Sequence, residues 1–292
     1  MGAYDKVKKR YDKNIISMKD DFRQVISYIL NRVFDVHIDK DIKRVYIDIN
    51  SALSILFRYE SIDDSELLVK MSGIIEKFMV THLDKGLDII FIYTLDKSIV
   101  HHTVYPEWCK ERNERVILRS SDFIKKLLIN FAIYSSKNKH VKVLNCKNAH
   151  PAMVIKKLER FERTACLVLS KDNVFRCISH PTVSLYNGVD WIQFNVSDRP
   201  LPDKLEKLKN PDKFLPYYLA MRGDTRNEYK GMVGMGKVRT VDYINTNRIK
   251  IVSNIEHKHS EFFDERLPLY DMAAMEKKFN ELGFTVESIL GK

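Results

Sequence analysis

Short apolar segments that alternate with amphipathic segments constrain the fold of this chain more than any other feature. The strand-like segments are residues 44–50, 87–93, 141–144 and 165–169. The helix-like segments between them are residues 63–83, 121–134 and 149–159. Strands that are apolar on both faces and separated by helices predict an α/β domain with a mainly parallel sheet flanked by helices. Residues 182–194, with Asn187-Gly188 at their centre, predict a β-hairpin after these strands.

Three aspartates stand at the carboxyl ends of the predicted strands. They are Asp48, Asp96 and Asp172. Ligands of parallel α/β sheets gather at this edge, and carboxylates there can hold the divalent ions of a metal-dependent active site. The alternative for each aspartate is that it caps the helix that follows its strand.

A glycine-rich stretch at residues 221–240 predicts a phosphate-binding element. An Arg-Gly-Asp turn that contains Asp224 precedes three glycines and several cations, which are Lys230, Gly231, Gly234, Gly236, Lys237 and Arg239. Glycines let the backbone approach another surface closely, and the free N–H groups of a following helix attract phosphate. The alternative is a glycine-rich surface loop that prefers anions but has no particular partner.

Composition limits the class of protein and of partner. The chain has 292 residues, 45% of them hydrophobic, which excludes a disordered or fibrous protein. A formal net charge of +10 favours a polyanion as partner. The four cysteines occur singly, which predicts reduced thiols in the cytoplasm. The sequence shows neither a signal peptide nor an apolar run long enough to cross a bilayer, so we expect no membrane contact.

The glycine-rich stretch also carries a family resemblance. The pattern Gly-Asp-x-x-Asn-x-x-x-Gly-x-x-Gly-x-Gly-Lys at residues 223–237 resembles the helix-three-turn-helix element of the flap endonuclease and phage 5′-to-3′ exonuclease family, which includes phage RNase H-like 5′-nucleases. The resemblance implies a grip on duplex DNA through backbone phosphates and a bound K⁺ ion. It also implies a PIN-like nuclease domain at 41–197 and a helical DNA-binding lobe at 198–292. Residues 1–40, with a helical apolar face at 17–36, are predicted to be a helical N-terminal extension outside the family's pattern.

The aspartates resemble that family's metal ligands, with departures. Tyr46-Ile-Asp48-Ile-Asn50 is similar to the first acidic strand, and Asp96, Asp172 and Asp224 match later acids. The resemblance implies that these four hold Mg²⁺ or Mn²⁺. Several expected acids are replaced, and the residues found in their places are Asn148, His150, Val174 and Asn227. Both metal sites are therefore predicted to be depleted, although His150 and Asn148 could instead help to hold a softer ion such as Mn²⁺.

The segment at 97–119 occupies the place of the family's helical arch. Residues 106–113 resemble a loosened P-x-Y-K-x-N-R motif, which implies that Lys110 or Arg112 steers the phosphate and that both belong to the catalytic set. The ring of Trp108 could stack on the bases of a single strand. The alternative is a mixed-charge exposed helix.

These features predict a nucleic-acid-binding relative of the 5′-nucleases, phage- or virus-like, that binds branched or 5′-ended DNA or an RNA–DNA hybrid. The missing acids predict reduced or lost catalysis. One alternative is an active metal-dependent 5′-to-3′ exonuclease or flap endonuclease. A second is a structural subunit of a replication or transcription complex, with proteins as partners.

Overall fold

The computed structural model describes most of the α/β domain and the C-terminal lobe. The described residues are 38–50 without 39, 64–83, 86–94, 98–108, seven positions between 123 and 137, 138–162, 165–178 without 171, 183–186, 193–194, and 207–289 without 225–226. Nearly all of the predicted extension at 1–40 lies outside these residues, as do Asp96, Lys110 and Arg112. The domain boundary at 197–198 also lies outside them and stays a prediction.

Six strands of the described chain form one sheet. They are β1 (Arg44–Asp48), β2 (Asp88–Tyr93), β3 (Val141–Asn145), β4 (Cys166–Leu169), β5 (Val183–Tyr186) and β6 (Gln193–Phe194). Their order in the sheet is β3-β2-β1-β4-β5-β6. The strands β1 to β5 pair in parallel and β6 pairs antiparallel with β5. The predicted parallel sheet is confirmed, and β5 and β6 pair as the predicted hairpin requires.

Helices pack around the sheet and form the C-terminal lobe. They are α1 (Asp64–Leu83), α2 (Ile99–Val104), α3 (Pro151–Glu162), α4 (Pro211–Arg222), α5 (Lys237–Val252), α6 (Ser260–Arg266), α7 (Met272–Glu281) and α8 (Val286–Ile289). Two 3-10 turns occur at Asn173–Cys177 and Leu267–Leu269. Of the helices that the structure describes, none combines the length and the apolar character that crossing a membrane requires.

The first strand ends earlier than its sequence predicts. The predicted strand extends to Asn50, but β1 stops at Asp48. The Asn50 side chain donates to the Thr94 carbonyl at 3.0 Å and accepts from the Thr94 N–H at 3.0 Å. The side-chain amide thus replaces the backbone pairing that a longer strand would make, and the carboxylate of Asp48 is left at the strand terminus.

One continuous apolar core joins the sheet to the lobe. It includes Tyr46 of β1, Phe214 of α4, Tyr270 after the second 3-10 turn, and Phe279 of α7, all of which are buried. An ionic contact adds to this packing, because Lys157 Nζ of α3 lies 2.6 Å from Glu276 Oε1 of α7. The core therefore fixes the position of the lobe relative to the carboxyl edge of the sheet.

Candidate carboxylate cluster and nucleic-acid interface

Three of the four predicted acidic residues lie together at the carboxyl edge of the sheet. Asp48 ends β1, Asp172 precedes the first 3-10 turn after β4, and Asp224 follows α4. Their exposed fractions are 4%, 7% and 3%. Burial of ionised carboxylates is costly unless hydrogen-bond donors surround them, so the identity of these donors determines what the cluster can do.

Ser170 links the first two aspartates. Its hydroxyl donates to Asp48 Oδ2 at 2.7 Å and accepts from the Asp172 backbone N–H at 3.1 Å. Asp172 in turn accepts from the Val174 N–H at 3.0 Å through Oδ1 and so caps the 3-10 turn. The capping alternative for a strand-end aspartate is thus realised at Asp172.

Asn227 bridges the other two carboxylates. Its Nδ2 group donates to Asp172 Oδ1 at 3.0 Å and to Asp224 Oδ2 at 2.9 Å. An amide NH₂ has two hydrogens, and both are used here. The Asn227 side chain is fully buried. A neutral donor therefore occupies the position between two carboxylates that come from different parts of the chain.

A tight glycine turn places Asp224 and Asn227. Gly223 and Gly231 have φ values of 88° and 67°. A Cβ on Gly231 would lie 2.3 Å from the Gly223 nitrogen, so only glycine allows this approach. Asp224 and Tyr229 form an isolated antiparallel bridge, with N–H to O distances of 2.7 and 2.9 Å. The sequence predicted Gly231 as part of the phosphate-binding element and placed Gly223 in an Arg-Gly-Asp turn, but it did not predict the close approach of the two glycines.

Two histidines lie behind the carboxylates. Nδ1 of His150 accepts a hydrogen bond from the Ala152 N–H at 3.2 Å, which caps the start of α3. The ring proton is therefore on Nε2, and this nitrogen lies 3.5 Å from Asp172 Oδ2. The ring centroid of His101 lies 4.9 Å from that of His150. His101 is fully buried, and its nitrogens contact Ser98 Oγ at 2.8 Å and the Leu269 carbonyl at 2.9 Å. Burial lowers the pKa of His101 well below its ordinary value, so the ring is neutral.

Other buried groups respond to the negative charge of the cluster. Burial, and after it the charge of Asp48, raise the pKa of the Cys146 thiol. Burial and then the charge of Asp224 raise the pKa of Tyr270 well above its usual range. Among the described residues, the buried Tyr270 hydroxyl has no hydrogen-bond partner. Sequence reasoning assigned no role at this cluster to Ser170, His101 or Tyr270. Ser170 lies two positions from Asp172 but 122 from Asp48, and Tyr270 lies far along the chain from all three aspartates.

The described side chains do not fit a divalent ion at this cluster. Within that part of the chain, no three Asp, Glu, His or Cys side chains are arranged to hold a metal ion. The amide of Asn227 lies between Asp172 and Asp224, where it presents hydrogens, and a cation requires oxygen ligands. Asp96, the fourth predicted ligand, is outside the described residues, so its contribution stays a prediction.

The predicted phosphate-binding element is an exposed loop that leads into α5. Lys230, Gly234, Gly236, Lys237 and Arg239 are all exposed. Gly236 is the N-cap of α5, and no side chain caps the first turn of this helix. The first-turn N–H groups are therefore available to an anion. Arg239 Nη1 donates to the Gly234 carbonyl at 3.3 Å, which holds this cation beside the loop.

The first part of the predicted arch packs inward. Trp108 is only 4% exposed, and its ring contacts those of His101, Tyr229 and Tyr270 at centroid distances of 4.5, 6.1 and 5.6 Å. Stacking of Trp108 on bases would require the ring to leave this pocket and stays a prediction. Of the mixed-charge exposed helix that was the alternative, only residues up to 108 are described.

Comparison with solved structures identifies the fold. A flap endonuclease of bacteriophage T5, solved in a pseudo-enzyme–product complex with DNA and metal ions, has 14% sequence identity and a TM-score of 0.58, and the match covers 85% of this chain and 98% of that protein. The T5 5′-exonuclease with bound zinc ions gives a TM-score of 0.56 at 14% identity, with the same coverage. No protein-family model and no curated protein sequence matches the chain. The chain has the α/β fold of the 5′-nucleases, which confirms the fold that the sequence predicted.

Proposed function

We propose that this chain binds branched or 5′-ended DNA through its glycine-rich loop and cleaves it weakly or not at all. The observation that carries the proposal is the exposed, uncapped start of α5 behind that loop, with cations around it. It is supported by a fold shared with a T5 flap endonuclease that was solved with DNA.

The loop suits a DNA backbone better than a base sequence. Its donors are backbone N–H groups, and its charges are the exposed side chains of Lys230, Lys237 and Arg239. Such groups contact phosphates, which position a protein on DNA but carry no sequence information. The proposal therefore predicts binding that depends on salt and on the shape of the DNA.

The hydrogen bonds of the carboxylate cluster support weak or absent cleavage. Hydrolysis of a phosphodiester by two metal ions needs acids that hold those ions about 3.5–4 Å apart. Here Asn227 satisfies Asp172 and Asp224 with a neutral amide. The neutral hydroxyl of Ser170 donates a hydrogen bond to the Asp48 carboxylate. An ion would have to displace these donors before the carboxylates could bind it.

The test is the salt dependence of duplex binding in the double variant Lys237→Gln/Arg239→Gln. Affinity should fall for all duplex sequences alike, and the slope of log affinity against log salt should decrease by about 1.8, at roughly 0.9 per lost phosphate contact. The matched control is Lys40→Gln/Lys77→Gln, which changes the charge equally at exposed positions outside the C-terminal lobe. An unchanged slope in the loop variant, or an equal change in both variants, would refute the proposed interface.

A further inference from the structure

A second basic surface lies on the sheet, away from the glycine-rich loop. From position 123 to position 158 the sequence has eight lysines and neither aspartate nor glutamate. This tract includes β3, which is one of the two edge strands of the sheet formed by the described residues. Four of its lysines are exposed and follow that edge from before the strand to just after it. They are Lys137, Lys139, Lys142 and Lys147, here called the β3 lysine edge.

In the part of the chain that the structure describes, little negative charge lies against these lysines. No ion pair joins any of the four to a carboxylate of the described chain. The nearby carboxylate of Asp88, at the start of β2, is shared between His140 Nδ1 at 2.8 Å and Arg44 Nη2 at 3.6 Å. Within the described residues, the β3 lysine edge therefore carries exposed positive charge that no carboxylate pairs.

The edge leads towards the carboxylate cluster. Its last member, Lys147, precedes Asn148, whose left-handed backbone (φ 58°) turns the chain so that its carbonyl accepts from the Ile99 N–H at 2.9 Å. This bond joins the turn to the start of α2. Two residues further on, His150 lies 3.5 Å from Asp172. A nucleic-acid strand that followed the lysines along β3 would thus reach the carboxylate cluster.

We propose that the β3 lysine edge binds the phosphates of a single-stranded arm of the DNA held by the glycine-rich loop. The inference rests on the proposed function and names a second contact for the same ligand. The strand β3 extends over about 13 Å, at roughly 3.3 Å per residue, and Lys139 and Lys147 lie in the turns at its two ends. A flexible single strand can follow such a line, whereas the phosphates of a duplex curve away around its grooves.

Lysines on an edge strand also have a structural explanation, since they discourage pairing with the edge of another sheet. That explanation accounts for Lys142 within β3. It does not require Lys137 and Lys147, which lie outside the strand, or the absence of acids over the whole tract. Charge complementarity to a polyanion accounts for all of these features.

The experiment compares a blunt duplex with the same duplex carrying a 5′ oligo-dT arm of about 12 nucleotides. For the wild-type protein, the arm should steepen the salt slope by about 2.8, at roughly 0.7 per single-strand phosphate contact, so the advantage of the arm falls about 50-fold between 50 and 200 mM salt. The variant with all four lysines changed to Gln should lose this increment and bind the blunt duplex like wild type. The variant with the same four changed to Arg should keep it, because the charge is retained.

Several outcomes would overturn the inference. One such outcome is that the Gln variant binds the armed duplex with the same salt slope as wild type. Another is that the Gln variant loses as much affinity for the blunt duplex as for the armed duplex, which would mean that the β3 lysine edge contacts duplex DNA. Self-association of the Gln variant by light scattering, with unchanged DNA binding, would establish edge protection instead. Wild-type protein that binds the blunt duplex but gains nothing from the arm would refute this inference alone, whereas wild type that binds neither DNA would refute the proposed function as well. Circular dichroism and the single variant Lys142→Gln separate loss of contact from loss of fold.

Discussion

Replacing Asn227 with aspartate should remove the amide between the carboxylates and produce a cluster that binds divalent ions. In the wild-type protein the amide donates to Asp172 at 3.0 Å and to Asp224 at 2.9 Å. Hydrogen bonds to charged acceptors contribute about 1.5–3 kcal/mol each, so the loss of both should cost about 3–6 kcal/mol in EDTA. The added carboxylate, the fourth in the cluster, increases the repulsion, which uptake of a proton relieves. The melting temperature should therefore fall by roughly 10 °C.

Divalent ions should reverse part of this loss in Asn227→Asp only. A cation that binds the folded state stabilises it by about 2.7 kcal/mol at 100 times its Kd, which corresponds to roughly 5–10 °C. The measurement is thermal unfolding in EDTA, Mg²⁺ and Mn²⁺. The matched control is Asn227→Leu, which has a similar size but neither donor nor charge, and which should be destabilised without responding to ions. The reasoning is refuted if Asn227→Asp melts like wild type in EDTA, or if ions shift wild type and variant equally.

Two further predictions concern the turn and the buried histidine. The Cβ of Gly231→Ala would lie 2.3 Å from the Gly223 nitrogen, so this variant should be less stable than Gly234→Ala by several kcal/mol. The Cβ of Gly234→Ala meets open space, and that variant carries only the left-handed backbone penalty of about 1–2 kcal/mol. Thermal unfolding compares the two variants, and equal losses of stability would contradict the close approach at Gly231. His101 has a folded pKa below its unfolded value, so the unfolded state takes up the proton first and stability should fall as the pH drops below about 6.5, by up to about 1.4 kcal/mol per pH unit. Urea unfolding between pH 7.5 and 5 gives the free energy of unfolding at each pH. This free energy should change less with pH in His101→Gln than in the control His102→Gln. Equal pH dependence in the two variants would mean that the His101 ring titrates normally.

The sequence predicts the sheet and the position of its functional edge because both follow from local patterns. A strand that is apolar on both faces must be covered by helices, and its carboxyl end then lies where ligands gather. Asp48 and Asp172 were located in this way, and the structure brings them together at that edge. Asn227 was identified from the resemblance as a lost acid, but its two hydrogen bonds depend on the turn that Gly223 and Gly231 allow, which involves contacts between separate backbone segments.

The inward packing of the 98–108 segment could not be predicted from local pattern. Trp108 lies among charged residues in sequence, which is typical of an exposed helix. Its partners Tyr229 and Tyr270 lie more than 100 positions away, and burial of the ring depends on the lobe folding back over the sheet. The same long-range packing buries His101 against the carbonyl of Leu269.

The most direct test of the account uses a labelled 5′-flap duplex. Binding is measured in EDTA, and cleavage is measured with Mg²⁺ and separately with Mn²⁺, for the wild-type protein and for Asp172→Ala. The account predicts salt-dependent binding of the flap duplex and little or no cleavage with either ion. Efficient cleavage by the wild-type protein that Asp172→Ala abolishes would contradict it, because the carboxylates would then hold catalytic ions despite their bonds to Ser170 and Asn227.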